Sequence, residues 1–238
     1  SQSRHGCELS DVREKAVSCL NGGANRRGTR MFPIGDDDSA LRTTPVVTYG
    51  LIAINVLVFL LELNAGDQFI QDWSFIPSRF NDDPAGNLPT LLTAMFMHGG
   101  WMHLFGNMLY LYIFGDNIED RFGHVRFLAF YLACGIAATF AQYYVNSGSS
   151  IPNVGASGAI AGVLGAYILL FPHARVDVFV IRQIVSLPAL FSSVGSIART
   201  DETADVGGVA YMAHVGGFVA GLVLAFLLGG RGGPSRTV

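Results

Sequence analysis

Residues 127–172, FLAFYLACGIAATFAQYYVNSGSSIPNVGASGAIAGVLGAYILLFP, contain no Asp, Glu, Lys or Arg. A soluble domain carries roughly one charged residue in four, so an uncharged run of this length has no ordinary aqueous reading. It is also too long for a single crossing, because a helix spans the hydrocarbon core with about 20 apolar residues. The polar stretch at 146–153 divides it into two candidate spans joined by a turn. The whole chain agrees: of 238 residues, 50% are hydrophobic and only 14% charged. The fold class that follows is all-α, a polytopic membrane protein.

Hydropathy and turn residues extend the reading to six spans. They are Val46–Leu63, following Pro45 as a helix start should, then Trp101–Ile118, Phe127–Val145, Ala156–Phe171, Val176–Ala198 and Val209–Leu228. The fifth is the least apolar, with Asp177, Arg182, Gln183 and Pro188 inside it. With the N-terminus in the cytoplasm, Arg26, Arg27, Arg30, Arg42, Arg121, Arg126, Arg175, Arg231 and Arg236 all fall inside and only Arg79 and Arg199 outside. Cytoplasmic loops are enriched in Lys and Arg, and an odd number of crossings would scatter these residues. Six helices with both ends in the cytoplasm is therefore the expectation. The long first loop, 64–98, holds Trp73, Phe75, Ile76, Phe80 and the apolar run Leu91–Met97, which suits a short amphipathic structure in the outer interface.

The expected organisation is a polar cytoplasmic segment at 1–45, a membrane domain at 46–230 and a cytoplasmic tail at 231–238. Met31-Phe32-Pro33-Ile34-Gly35 reads like a natural start, which makes residues 1–30 an upstream extension. The first 45 residues hold no apolar run of the signal-peptide kind, so no cleavable leader is expected. A formal net charge of −3 without a basic cluster argues against nucleic-acid binding. Cys7, Cys19 and His5 match no zinc spacing, and Cys134 sits in an apolar span, so no metal or other cofactor is expected.

An ionisable residue in a span marks a functional site by default. Ser157 opens the fourth span inside Gly155-Ala156-Ser157-Gly158, and His214 stands near the start of the sixth inside Ala213-His214-Val215-Gly216-Gly217. One down-and-up excursion separates them, so both begin on the outer face. The second span also begins outside, with His103 and Asn107 at i and i+4 on one helix face. Interhelical polar contacts are the plain alternative for that pair. Gly158, Gly162 and Gly165, facing Gly217 and Gly221, form smooth stripes that let two helix backbones approach. A serine brought to a histidine this way gives a nucleophile and its general base. No carboxylate lies in the outer half of a span apart from Glu62 at a loop edge, so a dyad is expected rather than a triad. The Ser157 backbone N–H, free in the first helical turn, would face the developing oxyanion together with His103 and Asn107.

At these residues the chain resembles the rhomboid intramembrane serine proteases. The resemblance rests on His98, His103 and Asn107 (H-x4-H-x3-N), on Gly155 to Gly158 (G-x-S-x), and on Ala213, His214, Gly217 and Gly221 (A-H-x-x-G-x-x-x-G). Gly115 to Gly123, GDNIEDRFG, is similar to the family's turn after its second helix, and the likeness covers roughly residues 31–230. It implies a six-helix bundle with Ser157 as nucleophile and His214 as base, His103 and Asn107 at the oxyanion, and His98 as a structural residue of the first loop. It also implies single-pass membrane proteins as substrates, cut in or near their transmembrane segment, in a bacterial cytoplasmic membrane, without metal or nucleotide. Two positions depart from the family. Ala161 replaces an aromatic often found one turn after the serine, and Pro89-Thr90 stands where Trp-Arg is common. The competing readings are an inactive relative that holds transmembrane clients, a small-molecule transporter and a membrane hydrolase of lipid esters. An inactive relative typically lacks the serine or the histidine, and both are present. A transporter would favour internal repeats and acidic residues within its spans.

Overall fold

The computed structural model describes residues 31–36, 43–172, 174–180, 183–188 and 211–229. Strand β1 (Met31–Asp36) precedes α1 (Val46–Ala65). The first loop is itself helical, with α2 (Asp67–Trp73), α3 (Pro77–Asp82), α4 (Pro84–Asn87), α5 (Thr90–Thr93) and a 3-10 turn at Ala94–Phe96. Then come α6 (Trp101–Phe122), α7 (His124–Val145) and α8 (Ser157–Leu170), strands β2 (Arg175–Val180) and β3 (Gln183–Pro188), and α9 (Tyr211–Gly229). Five of the six expected spans are thus helices whose ends lie within a few residues of the expected ones.

By length and composition, α1, α7 and α9 can each cross a bilayer, and α8 is a shorter apolar helix. The last turns of α6 hold Asp116, Glu119, Asp120 and Arg121, and the reason lies in what they cap. Helix α1 starts after Pro45 without a side-chain cap of its own, leaving its first N–H groups without intrahelical acceptors. Glu119 supplies them from 72 residues away: Oε1 accepts from Val47 N (2.9 Å) and Oε2 from Thr48 N and Thr48 Oγ1 (both 2.7 Å). His124 Nδ1 lies 2.5 Å from the same carboxylate. Asp120 extends the cap outward, accepting from Thr43 N and Oγ1 at 2.9 and 2.7 Å. A carboxylate at 0% exposure is tolerated here because its oxygens are saturated by donors and by the positive end of a helix dipole.

The expected fifth span is corrected. Its first half is an antiparallel hairpin, β2 against β3, with Arg175 opposite Pro188 and Val180 opposite Gln183. β1 adds to the outer side of β2, Met31 opposite Val180 and Asp36 opposite Val176. Val176, Val178, Val180, Ile184 and Val185 are β-branched and stiff at χ1, which favours strand over helix, and Pro188 lacks the N–H a helix interior needs. Residues 189–198 of that expected span lie outside the described residues, as do 1–30 and 231–238. Within the segment before the first span, Met31–Asp36 is the strand β1.

These connections sort the elements into two ends. At one end lie the start of α1, the end of α6, the start of α7 and, through the sheet, the chain leaving α8. At the other lie the end of α1, the start of α6 and the connector between α7 and α8. Helices α1, α6, α7 and α8 therefore alternate in direction, whereas α8 and α9 run parallel, Gly158 against Gly217 and Gly162 against Gly221. Between the ends, α7, α8 and α9 meet through small residues. A methyl group on Gly217 would overlap the Gly158 carbonyl, and one on Gly221 the Gly162 carbonyl. Packing this close needs glycine on both helices.

Candidate active site

The site grows from the Gly158–Gly217 approach. Ser157 is the first residue of α8 and His214 the fourth of α9, so the contact between Gly158 and Gly217 holds both at the same end of one helix pair. The Ala213 carbonyl lies 3.7 Å from where a Gly158 methyl would sit. His214 is 8% exposed, and its Nδ1 has no hydrogen-bond partner among the described residues. Among the described residues no carboxylate bonds to that nitrogen. Ala161, at the position of the absent aromatic, is buried in α8.

Ser157 is preceded by a turn that only glycine can make. Gly155 has φ 131°, a region costly for any residue with a Cβ. A methyl there would also lie 2.9 Å from His103 Cε1 and Nε2 and 3.6 Å from Ser157 Oγ. The Nε2 edge of His103 and the serine oxygen thus converge on the space above Gly155. The other ring nitrogen, Nδ1, accepts from Gly99 N at 3.3 Å. A neutral imidazole has one ring proton, so this bond assigns it to Nε2, the edge turned toward Ser157. His103 is also within electrostatic reach of His98 and His214, and its ring lies 5.1 Å from that of His98, centroid to centroid. Asn107, one turn further along α6, is buried with its Nδ2 donor unpaired among the described residues.

His98 sits in the loop before α6 with its ring edge-on to Phe59 and His103. Burial, and after it the neighbouring His103 ring, push its pKa down from 6.5 to about 4, so the ring is neutral near pH 7. Its backbone N–H reaches both oxygens of Glu62, at 3.2 and 3.1 Å. Glu62 was set aside on sequence as a loop-edge charge. Its signal was available, as the single charged residue of the first span.

The connector leading into Ser157 is held by the first loop. Phe75 and Asn153 exchange backbone hydrogen bonds at 3.2 and 2.8 Å, Ser78 N reaches Ser149 O at 2.9 Å, and Gly155 N donates to Ala94 O at 2.9 Å. Asn81 Nδ2 adds a bond to Ser147 O at 2.8 Å. Arg79 stiffens the loop from inside by donating to the Gln71 and Ser74 carbonyls, and Thr90 caps locally on Asn87 O. The loop is a series of short helices, with Trp73, Leu88 and Leu92 left exposed.

A family profile described as Rhomboid domain matches residues 85–231. Over 185 residues the chain is 33% identical to Rhomboid protease GluP of Bacillus subtilis, covering 76% of this chain and 35% of that protein. It is 30% identical over 189 residues to Rhomboid protein 1, mitochondrial, of Saccharomyces cerevisiae, covering 76% of this chain and 53% of the relative. It is also 30% identical over 191 residues to the human Presenilin-associated rhomboid-like protein, mitochondrial, covering 73% and 46%. The chain spans between about a third and about half the length of these relatives. With a matching domain over more than half its length, this chain is an integral membrane protein that belongs to the rhomboid family.

Proposed function

We propose that the protein is an intramembrane serine endopeptidase that cuts single-pass membrane proteins in or near their transmembrane segment. The observation that supports this reading is the approach of Gly158 to Gly217, next to Ser157 and one turn after His214, at one end of the helix pair. His214 removes the Oγ proton as Ser157 attacks the scissile carbonyl, then returns that proton to the departing amine; water, activated by the same ring, releases the acyl group. The oxyanion meets the first N–H of α8, the Nε2–H of His103 and the unpaired Nδ2 of Asn107. His98 holds the first loop against α6, and Gly155, Gly158, Gly217 and Gly221 permit the close approaches. The partners are transmembrane substrates and the surrounding bilayer; the chemistry described calls on neither a metal nor a nucleotide. Matched relatives come from a bacterium and from mitochondria. The arginine distribution favours a membrane with both termini on its cytoplasmic side, and we place the protein in a bacterial cytoplasmic membrane.

The test is purified protein in detergent with a panel of single-pass substrates, beside Ser157→Ala and His214→Ala. Each variant should abolish cleavage and still fold. The double variant should be no worse than either single, because residues acting as one unit are strongly non-additive. Cleavage at the wild-type rate by either variant would refute the dyad. Labelling of the wild type by a fluorophosphonate, lost in Ser157→Ala, separates a hydrolase from a client-holding relative or a transporter. The substrate panel then separates a protease from a lipid esterase.

A further inference from the structure

We infer that Glu62 is a positioning residue for His103, acting through the backbone of the turn that joins the first loop to α6. The inference rests on the oxyanion reading above and names a residue that reading does not use.

Glu62 lies in the last turns of an apolar helix and is 4% exposed. A carboxylate there is costly unless it is satisfied. Among the described residues no cationic side chain pairs with it; both of its oxygens converge on a single donor, the His98 backbone N–H. Closing the end of α1 does not require this side chain, because the Glu62 carbonyl does so by accepting from Gly66 N at 3.0 Å. The side chain is therefore committed to the turn 97–100.

That turn is fixed at successive residues. Met97 N donates to Ala94 O at 3.4 Å, His98 N is held by Glu62, and Gly99 N donates to His103 Nδ1. Gly100 is the residue before α6, and its carbonyl accepts from Leu104 N at 3.0 Å. The chain of dependence runs from Glu62 to His98 N–H, to the orientation of the next peptide, to Gly99 N–H and so to His103. If the Gly99 donor turns away, the ring proton can move to Nδ1. Nε2 would then present a lone pair to the space above Gly155, where the oxyanion forms. A lone pair repels that charge, whereas an N–H stabilises it. Substrate binding does not depend on this proton, so the loss should fall on kcat.

Glu62→Met is the informative variant, since it fills the same volume in an apolar helix and removes the acceptor. In the purified full chain it should lower kcat by about tenfold to a hundredfold, in the range of a weakened oxyanion donor, with KM within about twofold. Glu62→Gln keeps one acceptor oxygen and should stay within a fewfold of wild type. In a His103→Ala background, Glu62→Met should cost less than about twofold, because its route of action is gone. Nitrogen-15 NMR of the ring gives a readout apart from activity: Nε2–H in the wild type and Glu62→Gln, and an Nδ1–H population in Glu62→Met. An unchanged kcat and tautomer in Glu62→Met, or an equal cost in both backgrounds, would overturn the inference. If Glu62→Met does not fold, Glu62→Gln decides. Loss of activity as severe as His103→Ala would count against the inference, and retained activity with Nε2–H would support it. Ser157→Ala runs alongside, since persistent cleavage there would sink the protease reading while leaving the NMR result able to report on Glu62.

Discussion

Among individual residues, the polar groups near Ser157 divide into donors with partners and donors without. Asn107 Nδ2 is buried and unpaired among the described residues, which suits a group whose acceptor appears only as charge develops. Asn107→Ala should therefore lower kcat more than it changes KM, by up to about 100- to 1,000-fold if it acts like an oxyanion donor of a water-soluble protease. His103 and the α8 N–H would absorb part of that loss, so a smaller drop is also consistent. An unchanged rate in Asn107→Ala combined with His103→Ala would remove both from the oxyanion. His98 makes a different prediction. Its folded pKa of about 4 lies below the unfolded 6.5, so between those values the unfolded chain binds the extra proton. The stability it contributes is complete above pH 6.5 and is lost as the pH falls toward 4. His98→Phe keeps the ring packing and should flatten that part of the fall in melting temperature, worth on the order of 1–3 kcal/mol. A thermal profile against pH that matches the wild type would show that His98 is not buried neutral.

For helices and strands, the outcome depended on whether a signal was local. Ser157 and His214 were legible because polar residues stand out in apolar runs, and the glycine spacing that joins their helices is written in each helix alone. Glu119 was visible only as part of a turn-like motif, since its partners Val47 and Thr48 are 72 and 71 residues away and no local pattern encodes them. Val176–Ala198 misled for the opposite reason. Valine and isoleucine raise hydropathy and strand preference together, so an apolar run rich in them fits a buried strand as well as a membrane helix. The seam itself is testable. Gly217→Val would drive an isopropyl group into the Gly158 carbonyl, and overpacking of this kind costs about 1–3 kcal/mol or more. It should lower the melting temperature and abolish cleavage together. Val219→Ala, on the exposed face of the same helix, should change little. Full activity in Gly217→Val would mean that α8 and α9 do not meet there.

In the molecule as a whole, the two ends of the bundle are built differently. One is closed by the Glu119 and Asp120 caps, which join α6 to the start of α1. The other holds the candidate site and the first loop, whose Phe75, Phe80, Leu91 and Ala94 form a small core of their own with Tyr143 of α7. Backbone bonds from Phe75, Ser78 and Ala94 grip the connector that leads to Ser157, so the loop works as a splint for that turn. A splint should stay in place during turnover. Ser78 N donates to Ser149 O at 2.9 Å, a contact close enough to choose these two positions for a disulfide. The pair Ser78→Cys and Ser149→Cys, oxidised, should keep kcat within about twofold of its reduced form and melt higher, because the crosslink closes a long loop in the unfolded chain. Activity lost on oxidation and recovered on reduction would show that the loop must lift from the connector for substrate to reach Ser157. The splint would then have to be read as a moving cover.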